Sequence, residues 1–129
     1  MKDRVFQLCD IVRETSFAIH KYLGPGHLEK VDQRALVHRL RKQGLQVQQQ
    51  VPMAVYFEDG TVLGEYFADV FVEGCLILEL KAVRATAPEH VAQLFGYLRA
   101  SRVEHELLAN FGAPVSFIKK FVMSDIRES

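Results

Sequence analysis

The sequence predicts an α/β domain of the mixed α+β kind, with a central mixed β-sheet flanked by α-helices. Apolar side chains recur with a helical period over roughly the first 43 residues, which predicts two helices. From about residue 47 the period changes to two, and glycine-containing turns divide the chain into strands. The predicted order is two helices, three strands, one helix and two strands.

Three segments are predicted to be helical. The first covers about residues 3–22 and ends at Gly24-Pro25-Gly26, because glycine permits left-handed geometry and proline cannot continue the hydrogen-bond ladder. The second covers about residues 28–43 and ends at Gly44. The third covers about residues 86–99, where Thr86-Ala87-Pro88-Glu89 forms a capping box with proline in the first turn.

The strand predictions rest on alternation and on turn signals. Because proline cannot donate a ladder hydrogen bond, Pro52 predicts that the first strand lies at an edge of the sheet or contains a bulge. Glu58-Asp59-Gly60 predicts a hairpin turn after this strand. Leu76–Ala82 is almost wholly apolar, as expected of a central strand that is covered on both faces. The predicted strands are residues 47–57, 61–72, 76–82, 107–111 and 117–123.

Composition limits the class of protein. At 129 residues, 49% of them apolar and 25% charged, we expect residues 1–129 to form one globular domain. The net charge of zero argues against a DNA-coating protein with a global basic field, although it allows a local basic groove. Cys9 and Cys75 match no zinc or redox spacing, so we expect a reducing, cytoplasmic location. The N-terminus lacks a signal-peptide pattern and no apolar run suits a membrane span.

Three charged residues occupy strand positions where the pattern predicts apolar side chains. Glu79 and Lys81 are two apart, so they point to the same face of one strand. Asp69, on the preceding strand, shares that face if the loop around Gly74 has an odd number of residues, and lies on the opposite face if the loop has two. Because an odd loop with a left-handed glycine is common, we expect all three side chains to converge on one side of the sheet.

Two acids placed so close together favour the binding of a cation. Two carboxylates about 5 Å apart repel by about 3 kcal/mol at an effective dielectric constant near 20. Lys81 offsets part of that repulsion, and a divalent ion would reverse its sign. Carboxylate and main-chain oxygens are hard ligands that suit Mg²⁺ or Mn²⁺. A same-face ion pair between Glu79 and Lys81 on a partly exposed strand explains their spacing equally well.

Two further acids lie at the start of the second predicted helix. Glu29 and Asp32 align with Leu36 and Leu40, on a face that the pattern predicts to be buried. Acidic residues are favourable at any helix N-terminus, and this explains Glu29 and Asp32 without a site. It does not explain the acids on the strands.

Six short segments lie in a characteristic order along the chain. In that order and spacing they resemble the GxxExxY proteins, a small-domain branch of the PD-(D/E)XK nuclease superfamily, over roughly residues 10–122. They are Leu23-Gly24-Pro25-Gly26-His27-Leu28-Glu29, Gln50-Val51-Pro52, Asp69, Glu79-Leu80-Lys81-Ala82, the segment from His90 to Arg99, and Asn110-Phe111-Gly112.

The resemblance implies a restriction-endonuclease-like core with one acidic metal site. Asp69 and Glu79 would be its acids, and Lys81 would orient or activate the attacking water. Glu29 would contribute an acid from the early helix, and the main-chain oxygen of Leu80 would be a further ligand. The implied cofactor is Mg²⁺ or Mn²⁺.

Two more positions bear on the resemblance. Gln93 and Tyr97 resemble the Gln-x-x-x-Tyr element of exonuclease-like branches, and their spacing puts them on one helix face. They would reach a substrate phosphate or the rim of the site, although the polar shoulder of an ordinary helix would look the same. Asp32 occupies the position of the motif's final tyrosine, which puts a charge one turn from Glu29.

These observations support two hypotheses. The first is a magnesium-dependent nuclease that hydrolyses phosphodiester bonds of nucleic acid, with DNA favoured over RNA. The second is a non-catalytic nucleic-acid-binding or protein-interaction module on the same fold, which the zero net charge and Asp32 favour. A domain this small covers little substrate, so a homodimer or a larger protein partner is expected, and no membrane partner.

Overall fold

A computed structural model of the chain describes residues 2–82, 105–112 and 117–122. Within these ranges two helices precede five strands, and the predicted mixed sheet with flanking helices is confirmed. The third predicted helix, with Gln93 and Tyr97, lies outside the described residues. The elements are α1 (Lys2–Leu23), α2 (Glu29–Lys42), β1 (Val47–Tyr56), β2 (Val62–Val72), β3 (Leu76–Lys81), β4 (His105–Asn110) and β5 (Phe117–Val122).

Glycines end both helices, as the sequence predicts. Gly24 follows α1 with a φ of 74°, and its N–H donates to the carbonyl oxygen of His20 at 2.8 Å. Gly44 follows α2 with a φ of 84°, and its N–H donates to the carbonyl oxygen of Arg41 at 3.0 Å. Glycine adopts this left-handed geometry without the steric cost that a Cβ would add, so each helix ends where the chain must turn.

The five strands form one sheet in the order β1-β2-β3-β4-β5. Only the β3–β4 pair is parallel among the strand pairs described; the other three are antiparallel. Pro52 lies on the edge strand β1, where it removes no ladder hydrogen bond from the sheet interior. β3 lies at the centre of the sheet, and its residues from Leu76 to Leu80 are all buried.

The two faces of the sheet differ in what covers them. On one face, Leu76, Leu78 and Leu80 of β3 join a core cluster that includes the buried stripes of α1 and α2. On the other face, Ile77 and Leu108 are fully buried but are not members of that cluster. The middle of this second face is therefore buried, although its residues are not part of the core that α1 and α2 form.

Truncating the core at Leu78 should destabilise the protein strongly. Leu78 has no exposed surface, so Leu78→Ala removes buried methyl groups and leaves a cavity, at a cost of about 2–5 kcal/mol. The free energy of unfolding in urea measures this loss. The matched control is Leu28→Ala, because Leu28 is 77% exposed and its truncation should change stability by no more than about 0.5 kcal/mol.

Candidate active site

The site lies where β2 and β3 part. The two strands pair only at Val70–Leu78, Phe71–Ile77 and Val72–Leu76. Beyond Val70, β2 continues its pairing with β1, while β3 continues beside β4 as far as Lys81. The gap between them, which we call the fork, is bordered by Asp69 on β2 and by residues 79–81 on β3.

The turn between these strands has the odd length that brings Asp69 and Glu79 to one face. Its residues are Glu73-Gly74-Cys75, and Glu73 and Gly74 have left-handed φ angles of 52° and 67°. Continuing the register one step beyond Val70–Leu78 puts Asp69 opposite Glu79. The two carboxyl groups also share a side-chain hydrogen bond. Lys81, two residues after Glu79, lies on the same face.

The Asp69 side chain accepts a backbone hydrogen bond that a neighbouring strand would otherwise accept. The carbonyl oxygen of Lys81 accepts from the N–H of Phe111 at 2.8 Å, on the β4 side of β3. Because backbone groups alternate in direction along a strand, the N–H and C=O of Leu80 face the fork. The Leu80 N–H donates to Asp69 Oδ2 at 2.9 Å. This bond orients the Asp69 carboxylate and leaves the Leu80 carbonyl oxygen on the same side.

Glu79 is a buried acid whose ionised form is disfavoured. Its side chain is 9% exposed, and its Oε1 atom has no hydrogen-bond partner. Burial, then the charges of Asp69 and Glu106, then the hydrogen bond with Asp69 raise the pKa of Glu79 to about 10, against a smaller lowering by Lys81. No direct ion pair joins Glu79 to Lys81 in the described part of the chain, so that alternative explanation of their spacing is not supported.

Glu106 is a site residue that the sequence analysis missed. It lies opposite Ile77, has no exposed surface, and neither of its carboxyl oxygens has a hydrogen-bond partner. Burial and then the charge of Asp69 raise its pKa to about 8. The predicted strand began at residue 107, whereas β4 begins at His105, so Glu106 fell outside the expected strand. Only the pairing of β4 with β3 shows that it shares a face with Glu79.

The two acids of α2 lie in different surroundings. Asp32 is 2% exposed, as expected for that face; burial raises its pKa, and the nearby His27 and His20 lower it. Glu29 is exposed, so the expectation that it is buried was wrong. Glu29 is the first residue of the helix, and it lies near enough to the fork for the charges of Asp69 and Lys81 to act on it. Partial burial and then the charge of Asp69 raise the pKa of Glu29, while Lys81 lowers it.

Gln33 holds the start of α2 beside the fork. It is 4% exposed, and its Nε2 donates to the carbonyl oxygen of Asp69 at 3.3 Å and to Gln49 Oε1 at 3.1 Å. Gln33 follows Glu29 by one helical turn on the same face, so this contact also fixes where Glu29 lies. The one indication of this contact in the sequence is that Gln33, a polar residue, occupies a position on the buried side of the helix.

The donor chemistry of the fork suits a hard cation, although its ligands are not drawn together. Among the described residues, no three His, Cys, Asp or Glu side chains are arranged around a common point that could hold a metal ion. The fork nevertheless contains the unpartnered Oε1 of Glu79, the carboxylate of Asp69 and the main-chain oxygen of Leu80. Oxygen donors of this kind are those that Mg²⁺ and Mn²⁺ prefer.

Comparison with known families identifies the superfamily of the chain. The family model of the PD-(D/E)XK nuclease superfamily matches residues 6–121. The chain therefore belongs to the PD-(D/E)XK nuclease superfamily. The narrower resemblance to the GxxExxY proteins remains a prediction from the motifs. No curated protein and no solved structure matches the chain.

A search of the described helices for membrane spans was negative. None of them is both long enough and apolar enough to cross a bilayer.

The buried acids predict how stability depends on pH without metal. The folded-state pKa values of Glu79 and Glu106, about 10 and about 8, lie above their ordinary value of 4.5. Above pH 4.5 the folded state therefore holds protons that the unfolded state has released, and stability falls as pH rises toward those values. Thermal melts between pH 5 and 8, in EDTA, should show a falling midpoint.

Replacing Glu79 with glutamine tests the source of that slope. Glu79→Gln removes one of the two titrating groups and should reduce the slope of the melting temperature against pH, leaving the part that Glu106 contributes. Glu65→Gln makes the same change at an exposed position of β2 and should keep the wild-type slope. A melting temperature that rises with pH in the wild type would contradict the argument.

Proposed function

We propose that this protein is a metal-dependent nuclease that hydrolyses phosphodiester bonds of nucleic acid with Mg²⁺ or Mn²⁺ as cofactor. The observation that carries the proposal is the convergence of Asp69, Glu79 and Lys81 at the fork, where Glu79 Oε1 is buried without a partner. Membership of the PD-(D/E)XK superfamily supports the same chemistry. A plain structural role would not account for two carboxyl groups side by side in an apolar sheet.

Each residue of the fork would have a different role in hydrolysis. Asp69, Glu79 and the Leu80 carbonyl oxygen would hold the cation, and Glu29 would reach it from α2. A divalent ion held there polarises a phosphate and lowers the pKa of bound water. Lys81, half-buried beside the acids, would orient the water and stabilise charge that develops on the phosphate. The roles of Gln93 and Tyr97 in holding substrate remain part of this proposal.

A basic surface on α2 supports a nucleic-acid substrate. Lys30, Arg34 and Arg41 are exposed and recur at helical spacing along one side of α2. Fixed cations in such a row attract a phosphate backbone, and this attraction weakens as salt rises. The row begins beside Glu29, so a strand following it would end at the fork. We propose DNA ahead of RNA as the substrate, and the cytoplasm as the location.

A second function, as a protein-interaction module, is favoured by the distal part of the β1–β2 hairpin. This arm, residues 51–68, extends beyond the last β2–β3 pair, and Phe57, Leu63 and Phe67 on it are 49%, 62% and 55% exposed. Residues 43–80 contain six acids and no Lys, Arg or His. An acidic, apolar arm repels phosphate and suits a protein surface, so we propose that it mediates a homodimer or holds a larger partner.

Nuclease activity is tested with purified full-length protein on single- and double-stranded DNA and RNA. We expect cleavage with Mg²⁺ or Mn²⁺, none with EDTA, and a loss of about 100-fold or more in Lys81→Met, since that change removes the cation aimed at the phosphate. Lys21→Met is the matched control, because Lys21 is exposed on α1, and it should retain full activity. Absence of cleavage on all four substrates would favour the interaction module.

The role of the arm is tested by light scattering after size-exclusion chromatography. We expect a dimer in the wild type, and a monomer in the double variant Leu63→Ser and Phe67→Ser, because these changes remove exposed apolar area without touching the core. Tyr22→Ser is the control, since Tyr22 is 83% exposed on α1, far along the chain from the arm. If the wild type is a monomer, the arm does not mediate a homodimer, and a different protein remains as its partner.

A further inference from the structure

The backbone of Gln50 is unusual for a residue inside a strand. Its φ is 50°, in the left-handed region that a residue with a Cβ adopts only at a steric cost. Glu73 is the other non-glycine residue with such a φ in the part of the chain that the structure describes, and it lies in the turn between β2 and β3. No turn explains Gln50, which lies within β1. A strained backbone of this kind is found most often at functional sites.

The ladder between β1 and β2 is interrupted where Gln50 faces Asp69. The pairs on either side of the gap are Gln49–Val70 and Val51–Ala68. Gln50 and Asp69 are therefore opposite each other, but they form no pair. The register is the same on both sides of the gap, so no residue is inserted there. The gap is a local departure of Gln50 from the ladder, at the acid that borders the fork.

Gln33 of α2 contacts the main chain at this gap. Its Nε2 donates to the carbonyl oxygen of Asp69 at 3.3 Å, and its Oε1 accepts from Gln50 Nε2 at 3.5 Å. Nε2 also donates to Gln49 Oε1 at 3.1 Å. Gln33 is 4% exposed, so its amide would be costly to bury without these partners. A side chain from the helix thus bonds to Asp69 where its neighbour in β1 has left the ladder.

This bond joins the two elements that carry acids of the candidate site. Glu29 precedes Gln33 by one helical turn and lies on the same face of α2. Burial and then the charge of Asp69 raise the pKa of Glu29, so the two carboxyl groups are close in space. The contact of Gln33 with the main chain of Asp69 therefore fixes the separation of Glu29 and Asp69.

We propose that Gln50 is a positioning residue of the candidate active site. Its left-handed backbone keeps β1 out of the ladder at Asp69 and leaves space for the Gln33 side chain, which sets the position of Glu29. This inference rests on the proposed function, since it explains how two ligands of the proposed cation are held at a fixed separation. Gln50 acts through Gln33, and the bonds of the buried Gln33 amide offset the steric cost of the left-handed φ.

Two substitutions at Gln50 separate the backbone conformation from the side chain. Gln50→Gly and Gln50→Val both remove the amide, but glycine adopts a φ of 50° freely, whereas a β-branched residue strongly disfavours it. Full-length protein freed of metal with EDTA and dialysed is titrated with Mn²⁺ at pH 7.5, and free Mn²⁺ is measured by electron paramagnetic resonance. We expect Gln50→Gly to bind with nearly the wild-type affinity and Gln50→Val to bind about tenfold more weakly or worse, as is typical when a group that orients a metal ligand is lost.

The matched control makes the same two changes at Gln48. This residue is exposed on β1 and pairs normally with Phe71. Gln48→Gly and Gln48→Val should both keep the wild-type affinity for Mn²⁺, because neither changes the main chain beside Asp69.

A double-mutant cycle tests the link between Gln50 and Gln33 without metal. Gln33→Met keeps most of the buried volume but removes the amide, so it should lower the free energy of unfolding measured with urea in EDTA. In the Gln50→Val background, where the contact is already lost, the same substitution should have about half of this effect or less. In the Gln50→Gly background it should have its full effect.

The contrary results are distinguishable. Equal Mn²⁺ affinities of Gln50→Gly and Gln50→Val, or effects of Gln33→Met and Gln50→Val that simply add, would overturn the role of Gln50 and leave the proposed nuclease intact. A wild type that binds no Mn²⁺ would overturn the proposed nuclease and this role with it. If Gln50→Val does not fold, Gln50→Ala takes its place in both tests, because alanine also disfavours a positive φ and has a smaller side chain.

Discussion

The separation of β2 from β3 after the Val70–Leu78 pair is the constraint on which the site depends. Where two strands part, the backbone groups that faced each other lose their partners, and a buried N–H without a partner is costly. Asp69 resolves this at Leu80 by accepting its N–H at 2.9 Å. The same bond fixes a carboxylate beside Glu79 and leaves a main-chain oxygen at the same place. A structural requirement of the sheet thus brings these oxygen atoms to the same place.

The location of the acids sets their electrostatic character. Glu79 and Glu106 lie on the sheet face that α1 and α2 do not cover, yet both are buried, so water does not screen their repulsion. The raised pKa values of both groups follow from this burial first and from neighbouring acids second. Such groups are held protonated near neutral pH unless a cation replaces the protons. Shifts of this size in a group of acids are typical of functional sites.

Charge is separated along the chain in a way that a net charge of zero conceals. Lys30, Arg34 and Arg41 form one row of exposed cations on α2, whereas residues 43–80 carry acids and no Lys, Arg or His. The fork lies where these two regions meet, with Glu29 at the start of the basic helix and Asp69 and Glu79 on the acidic strands. A phosphate backbone would be attracted along α2 and repelled by the hairpin arm. The surface therefore has a basic side along α2 and an acidic, apolar side along the hairpin arm.

The sequence by itself determined the first two helices, the succession of the five strands along the chain, the position of Pro52 at an edge or a bulge, and the candidates Asp69, Glu79 and Lys81. These follow from periodicity, glycine stops and charges in apolar strands, all of which are local signals. Only the tertiary structure decided that Glu29 is exposed while Asp32 is buried beside histidines, and that Gln33 contacts Asp69. It alone identified Glu106, because sharing a face across strands depends on the register between β3 and β4. Residues 77 and 106 are far apart in sequence, and no local pattern encodes their pairing.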